Sequence, residues 1–484
     1  MDSDDPFGRR ESARALVAEI RRLIGAPSAK VELEASGSGL RAVVREGEAV
    51  LSLGLAPGAG STWQAGPISL SVAREFAGQR AGAHANAEAW LRTLSSYFRT
   101  APSEDLASLG ATLVVLVAAW RPPGEFVMPT AVEGDFRLQQ LLSRGSVNLG
   151  REVGTERLML MLTRSCELRC GYCFVSKTET GPEMQPATAR RAVDLLMGST
   201  LPRLEVQFFG GEPTRRWEVL AATLDYAMRH PGRDGRSLSF ILTSNGLGLD
   251  PERLRVLGQY PVKILFSCDG NEENHRRFRG GHLVDDATAH ATILGALDRL
   301  LRSDLDWFMH TVFPPAAAAG VEARYRWARA QGIPRLQMAY AIGSAWPESH
   351  METYAAGIVA SLRDHHANPV GLDLFNWRNG CEPLILSDDV TVDVDGTVLH
   401  DGAIFLERGF PALRKAYRRG HIDALTRFDP VRWTLRELHD AILTAYPEGT
   451  PERPVIAQNL RMGATMDLTV ARLAASLNHD TARG

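Results

Sequence analysis

The chain has 484 residues, of which 44% are hydrophobic and 23% are charged, and its formal net charge is −3. A chain of this length is too long for a single hydrophobic core, so we expect two or three domains. Charges of both signs are interspersed, which argues against nucleic acid as a partner, and five cysteines are too few for a disulfide framework.

Residues 1–150 predict a mixed α+β accessory domain. The acidic start MDSDDPF lacks the positive charge of a signal peptide, and the longest apolar run, residues 111–120, is too short to span a bilayer. We therefore expect a cytoplasmic protein with no membrane partner, in which reduced thiols are available to bind metal.

Two amphipathic helices and three strands are predicted in this domain. The first helix presents Leu16, Val17, Ile20, Leu23 and Ile24 on one face. The strands are KVELEAS, RAVV and AVLSLGL, and the second helix carries Trp90, Leu91, Leu94 and Phe98. No catalytic motif occurs here, so the domain either packs on the rest of the chain or recruits the substrate.

Residues 151–345 predict an α/β domain with a parallel sheet. Six short apolar runs alternate with amphipathic helical stretches, the runs being RLMLMLT, LEVQFFG, LSFILTSN, VKILFSCDG, DWFMHTVFP and LQMAYAIG. This alternation is typical of parallel strands covered by helices, in an open sheet or a curved partial barrel. Ligands of such sheets bind at the carboxyl ends of the strands, where all the motifs described below occur.

Residues 346–484 predict a C-terminal extension of helices and one hairpin. A helix carries Met351, Tyr354, Ile358 and Leu362 on one face, and a later one runs from Leu435 to Leu443. Between them, VTVDVDGTVLH reads as two short strands around an Asp-Gly turn.

Three of the five cysteines follow the first strand of the α/β domain. Cys166, Cys170 and Cys173 form a CxxxCxxC motif, and thiolates at this spacing hold either zinc or an iron–sulfur cluster. A structural zinc site needs four ligands, and the surrounding residues supply no fourth Cys or His. The spacing therefore favours a cubane cluster with one open iron over zinc, which stays the alternative.

The motifs resemble those of the radical S-adenosylmethionine (radical SAM) enzymes, from about residue 160 to 345. Tyr172 precedes the last cysteine, as in that superfamily, and FFGGEP and TSNG resemble its GGE and ribose-side motifs. The stretch FSCDGNEENHRRFRGG resembles the SxDG…HxxxR stretch of the peptide-modifying branch, with matches at Ser267, Asp269, Gly270, His275 and Arg279.

This resemblance implies a partial (β/α)6 TIM-like barrel that binds one [4Fe–4S] cluster and S-adenosylmethionine. Cys166, Cys170 and Cys173 would hold the cluster, whose open iron the cofactor's amino and carboxylate groups would chelate. The implied cofactor contacts are Tyr172, Gly210, Gly211, Glu212, Ser244, Asn245 and Ser267. Reductive cleavage of the cofactor to a 5′-deoxyadenosyl radical would follow, with electrons from a donor such as flavodoxin or ferredoxin.

The residue types are compatible with these roles, although each has a simpler reading. Gly210 and Gly211 permit close approach of a cofactor, and Glu212 can accept a hydrogen bond from an amino group, but Gly-Gly alone is also an ordinary turn. Ser244 and Asn245 suit sugar hydroxyls or, equally, a helix cap or an Asx turn. The pair His275 and Arg279 is expected to organise its loop rather than to act in catalysis.

The extension resembles the opening of the SPASM domain, which binds auxiliary clusters through many cysteines. Cys381 matches its first cysteine, but His400 stands where a second is expected, and no other cysteine follows. We therefore expect no auxiliary cluster. Cys381 is a structural residue or a hydrogen-atom donor, making it the one candidate catalytic residue, and Cys268 is more often a small buried hydrophobe than a ligand.

The resemblance implies hydrogen abstraction from a ribosomally made peptide, ending in cross-linking, epimerisation or oxidation. Residues 1–150 would then bind the leader of a precursor peptide. An oxidoreductase or mutase acting on a small metabolite is the alternative, and a metal-binding module without turnover is an alternative of another class. The sequence leaves the substrate, the outcome and the oligomeric state open.

Overall fold

A computed structural model describes residues 30–36, 39–46, 49–57, 63–72, 126, 128–129, 131–142, 155–177, 182–281, 283–369, 371–377, 384–387, 389–428 and 433–481. Both predicted helices before residue 100 and Cys381 lie outside these residues. The chain divides into two compact units, Met1–Arg137 with Arg472–Gly484, and Leu138–Ala471. The predicted domain limits near residues 150 and 345 stay a prediction.

The first unit contains a four-stranded antiparallel sheet whose strands follow one another in chain order. The strands are β1 (Lys30–Ser36), β2 (Gly39–Glu46), β3 (Ala49–Pro57) and β4 (Trp63–Val72). The three predicted strands are confirmed. The fourth was not predicted because its sequence, WQAGPISLSV, contains a glycine and a proline that weaken the strand pattern.

A single sheet of ten strands forms the core of the second unit, with the order β11-β10-β9-β8-β7-β6-β5-β12-β13-β14. Its strands are β5 (Thr155–Thr163), β6 (Arg203–Gly210), β7 (Ser237–Ser244), β8 (Val262–Ser267), β9 (Asp306–Phe313), β10 (Arg335–Tyr340), β11 (Asp373–Leu374), β12 (Val390–Val392), β13 (Thr397–His400) and β14 (Arg418–His421). Strands β5 to β10 are parallel and coincide with the six predicted apolar runs, so the parallel-sheet prediction is confirmed.

Helices alternate with the parallel strands β5 to β10 along the chain, and further helices precede and follow them. The helices are α1 (Ala131–Leu142), α2 (Pro186–Met197), α3 (Trp217–Arg229), α4 (Pro251–Leu257), α5 (Asp286–Leu301), α6 (Val321–Ala330), α7 (Glu348–Ala367), α8 (Gly402–Phe405), α9 (Ala412–Ala416), α10 (Leu435–Ala445) and α11 (Glu452–Thr481). Starts of α4 and α5 are set by Asp250 and Asp285, whose carboxylates accept from backbone N–H groups in the first turn. No described helix is long and apolar enough to cross a membrane.

Strands β6 and β7 show how the sheet curves. Their residues alternate between fully buried positions, which face the helices, and partly exposed positions, which face the inside of the curve. The inner positions of β5 to β10 line one common cavity, so the six parallel strands form the expected partial barrel rather than a flat sheet.

The predicted hairpin extends the barrel sheet on its first strand. Val390 of β12 pairs in parallel with Leu158 of β5, and antiparallel with His400 of β13. The turn between β12 and β13 contains Gly396 at a φ of 85°, a conformation that favours glycine. The Asp-Gly signal was therefore correct, and residues 389–428, which we call the tail, lie beside the strand that leads into the cysteines.

Candidate active site

The thiol loop, residues 164–177, carries the three predicted metal ligands at the carboxyl end of β5. Cys166 and Cys170 are buried, Cys173 is half-buried, and all three are free thiols. All three line the same cavity. Among the described residues, no three His, Cys, Asp or Glu side chains surround a single ion position. In a cubane cluster each thiolate binds a different iron, so such ligands line a common space rather than one ion position.

Backbone hydrogen bonds hold the thiol loop against the turn that follows β8. The N–H of Arg169 donates to the carbonyl of Gly280, and the N–H of Gly171 donates to the carbonyl of Phe278, each over 2.9 Å. This turn belongs to the SxDG…HxxxR stretch, so two of the sequence motifs are joined through their main chains.

Two cations offset the charge that deprotonated thiols would carry. Burial raises the pKa of Cys166 to about 11, and it also raises the pKa of Cys170. The positive charge of Lys177 lowers the pKa of both thiols, and that of Arg279 lowers the pKa of Cys170. Lys177 donates from Nζ to the carbonyl of Leu168 over 3.1 Å. Without a metal these thiols keep their protons, and a bound metal would displace them. The donor set therefore fits a metal cluster.

Gly210 and Gly211 are required by a contact within the chain. A Cβ atom at Gly210 would lie 2.4 Å from the carbonyl oxygen of Thr163, and one at Gly211 would lie 2.2 Å from that of Ser165. The N–H of Gly211 donates to the carbonyl of Thr163 over 2.7 Å. The end of β6 therefore crosses the start of the thiol loop at backbone contact, and a cofactor contact for these glycines stays a prediction.

The carboxylate of Glu212 accepts hydrogen bonds from groups at the neighbouring strand ends. Its Oε1 accepts from the N–H of Thr214 at 3.1 Å, from the hydroxyl of Thr214 at 2.7 Å and from that of Ser244 at 3.0 Å. Its Oε2 accepts from the N–H of Asn245 at 2.7 Å. Burial raises the pKa of Glu212, and Glu167 adds to this, while the donors act against it. The carboxylate thus fixes the end of β7 beside that of β6.

Asn245 connects this region to the thiols. Its Nδ2 lies 3.7 Å from Sγ of Cys166 and 3.3 Å from Oε2 of Glu167, and its Oδ1 accepts from the N–H of Leu247 at 2.9 Å. The last bond is the Asx turn that the sequence offered as the simpler reading. The same side chain also approaches Cys166, a predicted cluster ligand, so Asn245 forms the Asx turn and lies beside the thiols at the same time.

Tyr172 is anchored by Asp269 of the SxDG stretch. Its hydroxyl donates to Oδ2 of Asp269 over 2.7 Å, while Oδ1 of Asp269 accepts from the hydroxyl of Thr311 at 3.2 Å and the N–H of Val312 at 3.3 Å. Arg324 lies 3.5 Å from the same oxygen in a fully buried ion pair. Burial and the Asp269 charge raise the pKa of Tyr172, which therefore stays protonated.

The other members of this stretch are packed behind the thiol loop. A π-helical turn begins at His275 and ends at Arg279, both buried. Burial lowers the pKa of His275 to about 4, and Arg279 and the ring of His290, centred 5.3 Å away, add to this. Cys268 is buried and its Sγ accepts weakly from the N–H of Gly270 at 3.5 Å.

Buried ion pairs tie the tail to the thiol loop. Arg164 donates from Nη1 to Oε2 of Glu407 over 2.6 Å and from Nη2 to Oδ2 of Asp393 over 2.8 Å. Arg414 pairs with the same two carboxylates. Glu407 also accepts from the N–H of Ser176 at 3.1 Å. One carboxylate thus bonds both ends of the thiol loop.

A second set of contacts reaches the centre of the thiol loop. The N–H of Arg408 donates to the carbonyl of Phe174 over 3.0 Å, and its guanidinium donates to the carbonyls of Gly171 at 3.2 Å and Cys173 at 3.4 Å. The rings of Phe174 and Phe405 pack edge to face with centroids 5.3 Å apart. The tail therefore holds the segment around the last cysteine.

His400, which stands where a SPASM domain has a cysteine, is packed among aromatic rings. It is fully buried, with its ring centroid 5.4 Å from that of Trp433 and 6.0 Å from that of Tyr417. His400, the last residue of β13, is therefore part of the buried core. Cys381 lies outside the described residues, so its candidate role stays a prediction.

The predicted site residues share one cavity of about 370 Å³. Among its lining residues at or after the strand ends are Cys166, Cys170, Tyr172, Cys173, Gly210, Gly211, Glu212, Ser244, Asn245 and Ser267. Its inner wall is largely apolar and includes Met159, Phe209, Ile241, Leu265, Phe308 and Ala339. The carboxyl ends of the strands and the barrel interior are therefore parts of a single space.

The family comparison agrees with this arrangement. Residues 160–323, from the middle of β5 to the start of α6, match the model of the Radical SAM superfamily. The chain carries a radical SAM domain. The superfamily uses a [4Fe–4S] cluster and S-adenosylmethionine, and the buried thiols with their nearby cations fit the first of these.

Individual relatives match over short segments. The radical SAM cyclopropyl synthase TigE of Paramaledivibacter caminithermalis is 24% identical over 140 residues, or 26% of this chain and 29% of that protein. The S-adenosylmethionine-dependent nucleotide dehydratase RSAD2 of Oncorhynchus mykiss is 30% identical over 114 residues, or 23% of this chain and 31% of that protein. The chain thus spans less than a third of the length of either relative.

Among solved structures, anSMEcpe with bound AdoMet and Cp18Cys peptide superimposes with a TM-score of 0.51 at 15% identity. The superposition covers 60% of this chain and 83% of that one. At this identity the likeness establishes the fold of the radical SAM domain alone.

Sequence reasoning missed the residues that support the thiol loop. Lys177 had a usable signal, since it is the fourth residue after Cys173, where a cation is close to the thiolates. Arg164 had none, because its partners Asp393 and Glu407 are 229 and 243 residues away along the chain. Such pairs become visible only when the tail is placed beside β5.

Proposed function

We propose that the chain is a radical SAM enzyme that abstracts a hydrogen atom from a ribosomally made peptide, leading to cross-linking, epimerisation or oxidation. The observation that carries this proposal is the single cavity that runs from the three thiols into the barrel. A reactive group formed at the strand ends would face a substrate held inside, without a barrier between them.

The thiols and the strand-end groups that line the cavity would hold the cofactors. The three thiolates would bind the cluster, and the strand-end groups arranged by Glu212 would contact S-adenosylmethionine. When bound, the two cofactors supply the hydrogen-abstraction chemistry of the superfamily. Lys177 and Arg279 would offset the negative charge of the thiolates, and an electron donor such as flavodoxin or ferredoxin would reduce the cluster.

The protein's own task is to exclude water and to position the substrate. The wall formed by Met159, Phe209, Leu265 and Phe308 gives a low-polarity interior in which a reactive group meets few competing bonds. The bonds from the tail to both ends and the centre of the thiol loop fix the ligands in place, so that a substrate meets a preorganised site.

Three features support a peptide as the substrate. The stretch from Ser267 to Arg279 resembles that of peptide-modifying radical SAM enzymes, and the tail has the hairpin of a SPASM-like extension. The matching structure of anSMEcpe contains a bound peptide, as its name states. In this proposal residues 1–150 bind the leader of the precursor peptide.

Deuterium transfer tests both the reaction and the substrate class. Cells of the source organism grown in fully deuterated medium yield a peptide fraction and a small-metabolite fraction. Each is incubated with reconstituted enzyme, dithionite and unlabelled S-adenosylmethionine, and the 5′-deoxyadenosine formed is examined by mass spectrometry. We expect deuterium in the product with the peptide fraction.

The same experiment can overturn the proposal. Deuterium that comes only from the small-metabolite fraction would favour the alternative, an enzyme acting on a metabolite. Deoxyadenosine without deuterium from either fraction would contradict hydrogen abstraction from any cellular substrate. The Cys170→Ala variant is the control, because without the cluster it should form no 5′-deoxyadenosine.

A further inference from the structure

Three polar side chains form a row across the inner face of the barrel, which we call the lumen row. Ser267 of β8 pairs in register with His310 of β9, and His310 pairs in register with Gln337 of β10. All three line the cavity. The chain neighbours of His310, Met309 and Thr311, are fully buried on the other face, so the pleat of the strand fixes the direction of its ring.

The side chains of the lumen row make no hydrogen bond within the part of the chain that the structure describes. The neighbouring polar groups of the barrel differ. Gln207 donates from Nε2 to the hydroxyl of Thr243 over 3.1 Å, and Lys263 lies 3.7 Å from the carboxylate of Asp306. The three side chains are partly exposed and face the cavity, so their polar groups have capacity for a ligand.

The row runs from the cofactor end of the cavity towards the opposite side of the barrel. Ser267 is the last residue of its strand, like the other strand-end groups of the site. His310 and Gln337 lie three residues before their strands end at Phe313 and Tyr340. Of the six barrel strands β5 to β10, β10 is the last in sheet order counted from β5, which leads into the thiols. A group that contacts both His310 and Gln337 therefore lies inside the barrel.

The side chains of His310 and Gln337 suit an uncharged ligand. Burial lowers the pKa of His310 to about 4, with Asp269 opposing and Arg279 adding, so its imidazole is neutral at pH 7. A neutral imidazole has one donor and one acceptor, and the amide of Gln337 offers both kinds of group. Their strands are about 4.8 Å apart, which suits a ligand with its own donor and acceptor side by side.

The surroundings strengthen this selectivity. Apolar residues of the cavity wall flank the row: Leu265 two residues before Ser267 on β8, Phe308 two residues before His310 on β9, and Ala339 two residues after Gln337 on β10. An amide that enters such a space loses its water, and it recovers hydrogen bonds only where the wall is polar. A charged group would lose more and find no opposite charge on His310 or Gln337.

We propose that His310 and Gln337 form a substrate subsite that binds a peptide bond of the peptide substrate, with Ser267 marking its boundary to the cofactor. The inference rests on the proposed function, because it takes the substrate to be a peptide. It assigns specificity to two residues outside every motif of the sequence. By holding a backbone amide, they set which carbon of the substrate reaches the strand-end groups.

The test compares His310→Leu and Gln337→Met with matched changes on the surface, His350→Leu and Gln331→Met, both at exposed positions. Each enzyme is reconstituted and assayed for deuterium transfer from the deuterated peptide fraction and for equilibrium binding of S-adenosylmethionine. Loss of a hydrogen bond to a buried amide should lower transfer about tenfold. Cofactor affinity should stay within about twofold of the parent enzyme, which also verifies folding, and the surface variants should match the parent in both measurements.

Three results would overturn the subsite. Transfer that is unchanged in both variants would remove the two residues from substrate binding. Cofactor affinity that falls together with transfer would assign the lumen row to S-adenosylmethionine instead. His310→Asn keeps a donor and an acceptor, so a loss as large as that of His310→Leu would contradict hydrogen bonding as the cause. Failure of the proposed function is distinct, because the parent enzyme itself would then take no deuterium from peptides.

Discussion

The thiol loop and the tail contribute to the site in opposite ways. The thiol loop carries the three cysteines that would hold a cluster, and each is recognisable from its spacing. The tail has no cysteine between residues 389 and 428, but it buries the carboxylates of Asp393 and Glu407 against Arg164 at the entrance of the thiol loop. One region supplies ligands and the other supplies the bonds that hold them in place.

This difference bears on the prediction that the tail resembles a SPASM extension without an auxiliary cluster. In an extension with clusters, metal–thiolate bonds would rigidify the segment after the hairpin. Here His400 packs against Trp433 and Tyr417, and charge-assisted hydrogen bonds connect the hairpin to the barrel. The tail thus has a structural role that needs no metal. Variants of the thiol loop and of the tail separate the contributions of the two regions.

The largest effect is expected from the thiol loop itself. Replacing Cys170 by Ala removes one of three thiolates, and two are too few to hold a cubane with an open iron, so 5′-deoxyadenosine formation should be abolished. Liquid chromatography after incubation with dithionite and S-adenosylmethionine measures this. Cys268→Ala is the matched control, since among the described residues that thiol hydrogen-bonds weakly to Gly270 and to no other group, and it should be dispensable. Turnover retained by Cys170→Ala would break the assignment.

The next effect concerns the tail. Among the described residues, Arg164→Met leaves Arg414 as the remaining cation beside the buried Asp393 and Glu407, and breaking a buried ion pair costs about 3–5 kcal/mol. We expect the melting temperature to fall by several degrees and iron uptake during reconstitution to fall with it. Calorimetry measures the melting temperature, and iron analysis measures the iron bound after reconstitution.

The matched control for that variant is Arg302→Met, which removes an exposed pair with Asp298. Exposed pairs contribute about 0–1 kcal/mol, so its melting temperature and iron content should stay near those of the parent. If Arg164→Met behaved like this control, the tail would not be holding the thiol loop.

A smaller, pH-dependent effect is expected on the other flank of the thiol loop. The pKa of His275 is lowered to about 4 in the folded chain, from 6.5 when exposed. Protonation therefore favours the unfolded chain, and stability falls as the pH drops below 6.5 towards 4. At pH 5 the loss is about 2 kcal/mol, which His275→Leu should abolish.

Calorimetry of the metal-free protein at pH 7 and pH 5 measures this difference. The melting temperature of the parent should fall more between the two pH values than that of His275→Leu. Equal falls would mean that the imidazole is solvated, and that the turn packs less tightly on the thiol loop than described.

The smallest effect is expected from the exposed end of the tail contact. Arg408→Gln removes the donor to the carbonyls of Gly171 and Cys173, worth about 1 kcal/mol in all, and leaves the ligands intact. Amide hydrogen exchange of residues 164–177 should quicken a fewfold without a change in melting temperature. Arg418→Gln, at another exposed position of the tail, should leave this exchange unchanged.

The sequence was sufficient to predict the regular part of the molecule. Six apolar runs alternating with helical patterns predicted β5 to β10, because each strand is buried on one face by its own helix. The Asp-Gly turn predicted the hairpin that contains Gly396, since few residues other than glycine adopt a positive φ. The cysteine spacing predicted the thiol loop, because ligands close in sequence are necessarily close in space.

Features that depend on register or distant pairing could not be predicted. The bonds of Arg164 join positions more than 200 residues apart, and nothing near Arg164 indicates them. The lumen row needs the exact pairing of β8, β9 and β10, because a shift of one residue would turn His310 out of the barrel. The glycines at the end of β6 were predicted to give a cofactor room or to form an ordinary turn, and their close contact with Thr163 and Ser165 could not be predicted.

We propose that the thiol loop alone binds a cluster and that the tail supports it without one. This division is tested by iron analysis of two anaerobically reconstituted proteins, the parent and the variant in which Cys166, Cys170 and Cys173 are all Ala. We expect about four irons per chain in the parent, consistent with one cubane, and almost none in the variant. Substantial iron in the variant, with the absorption of a [4Fe–4S] cluster, would contradict it.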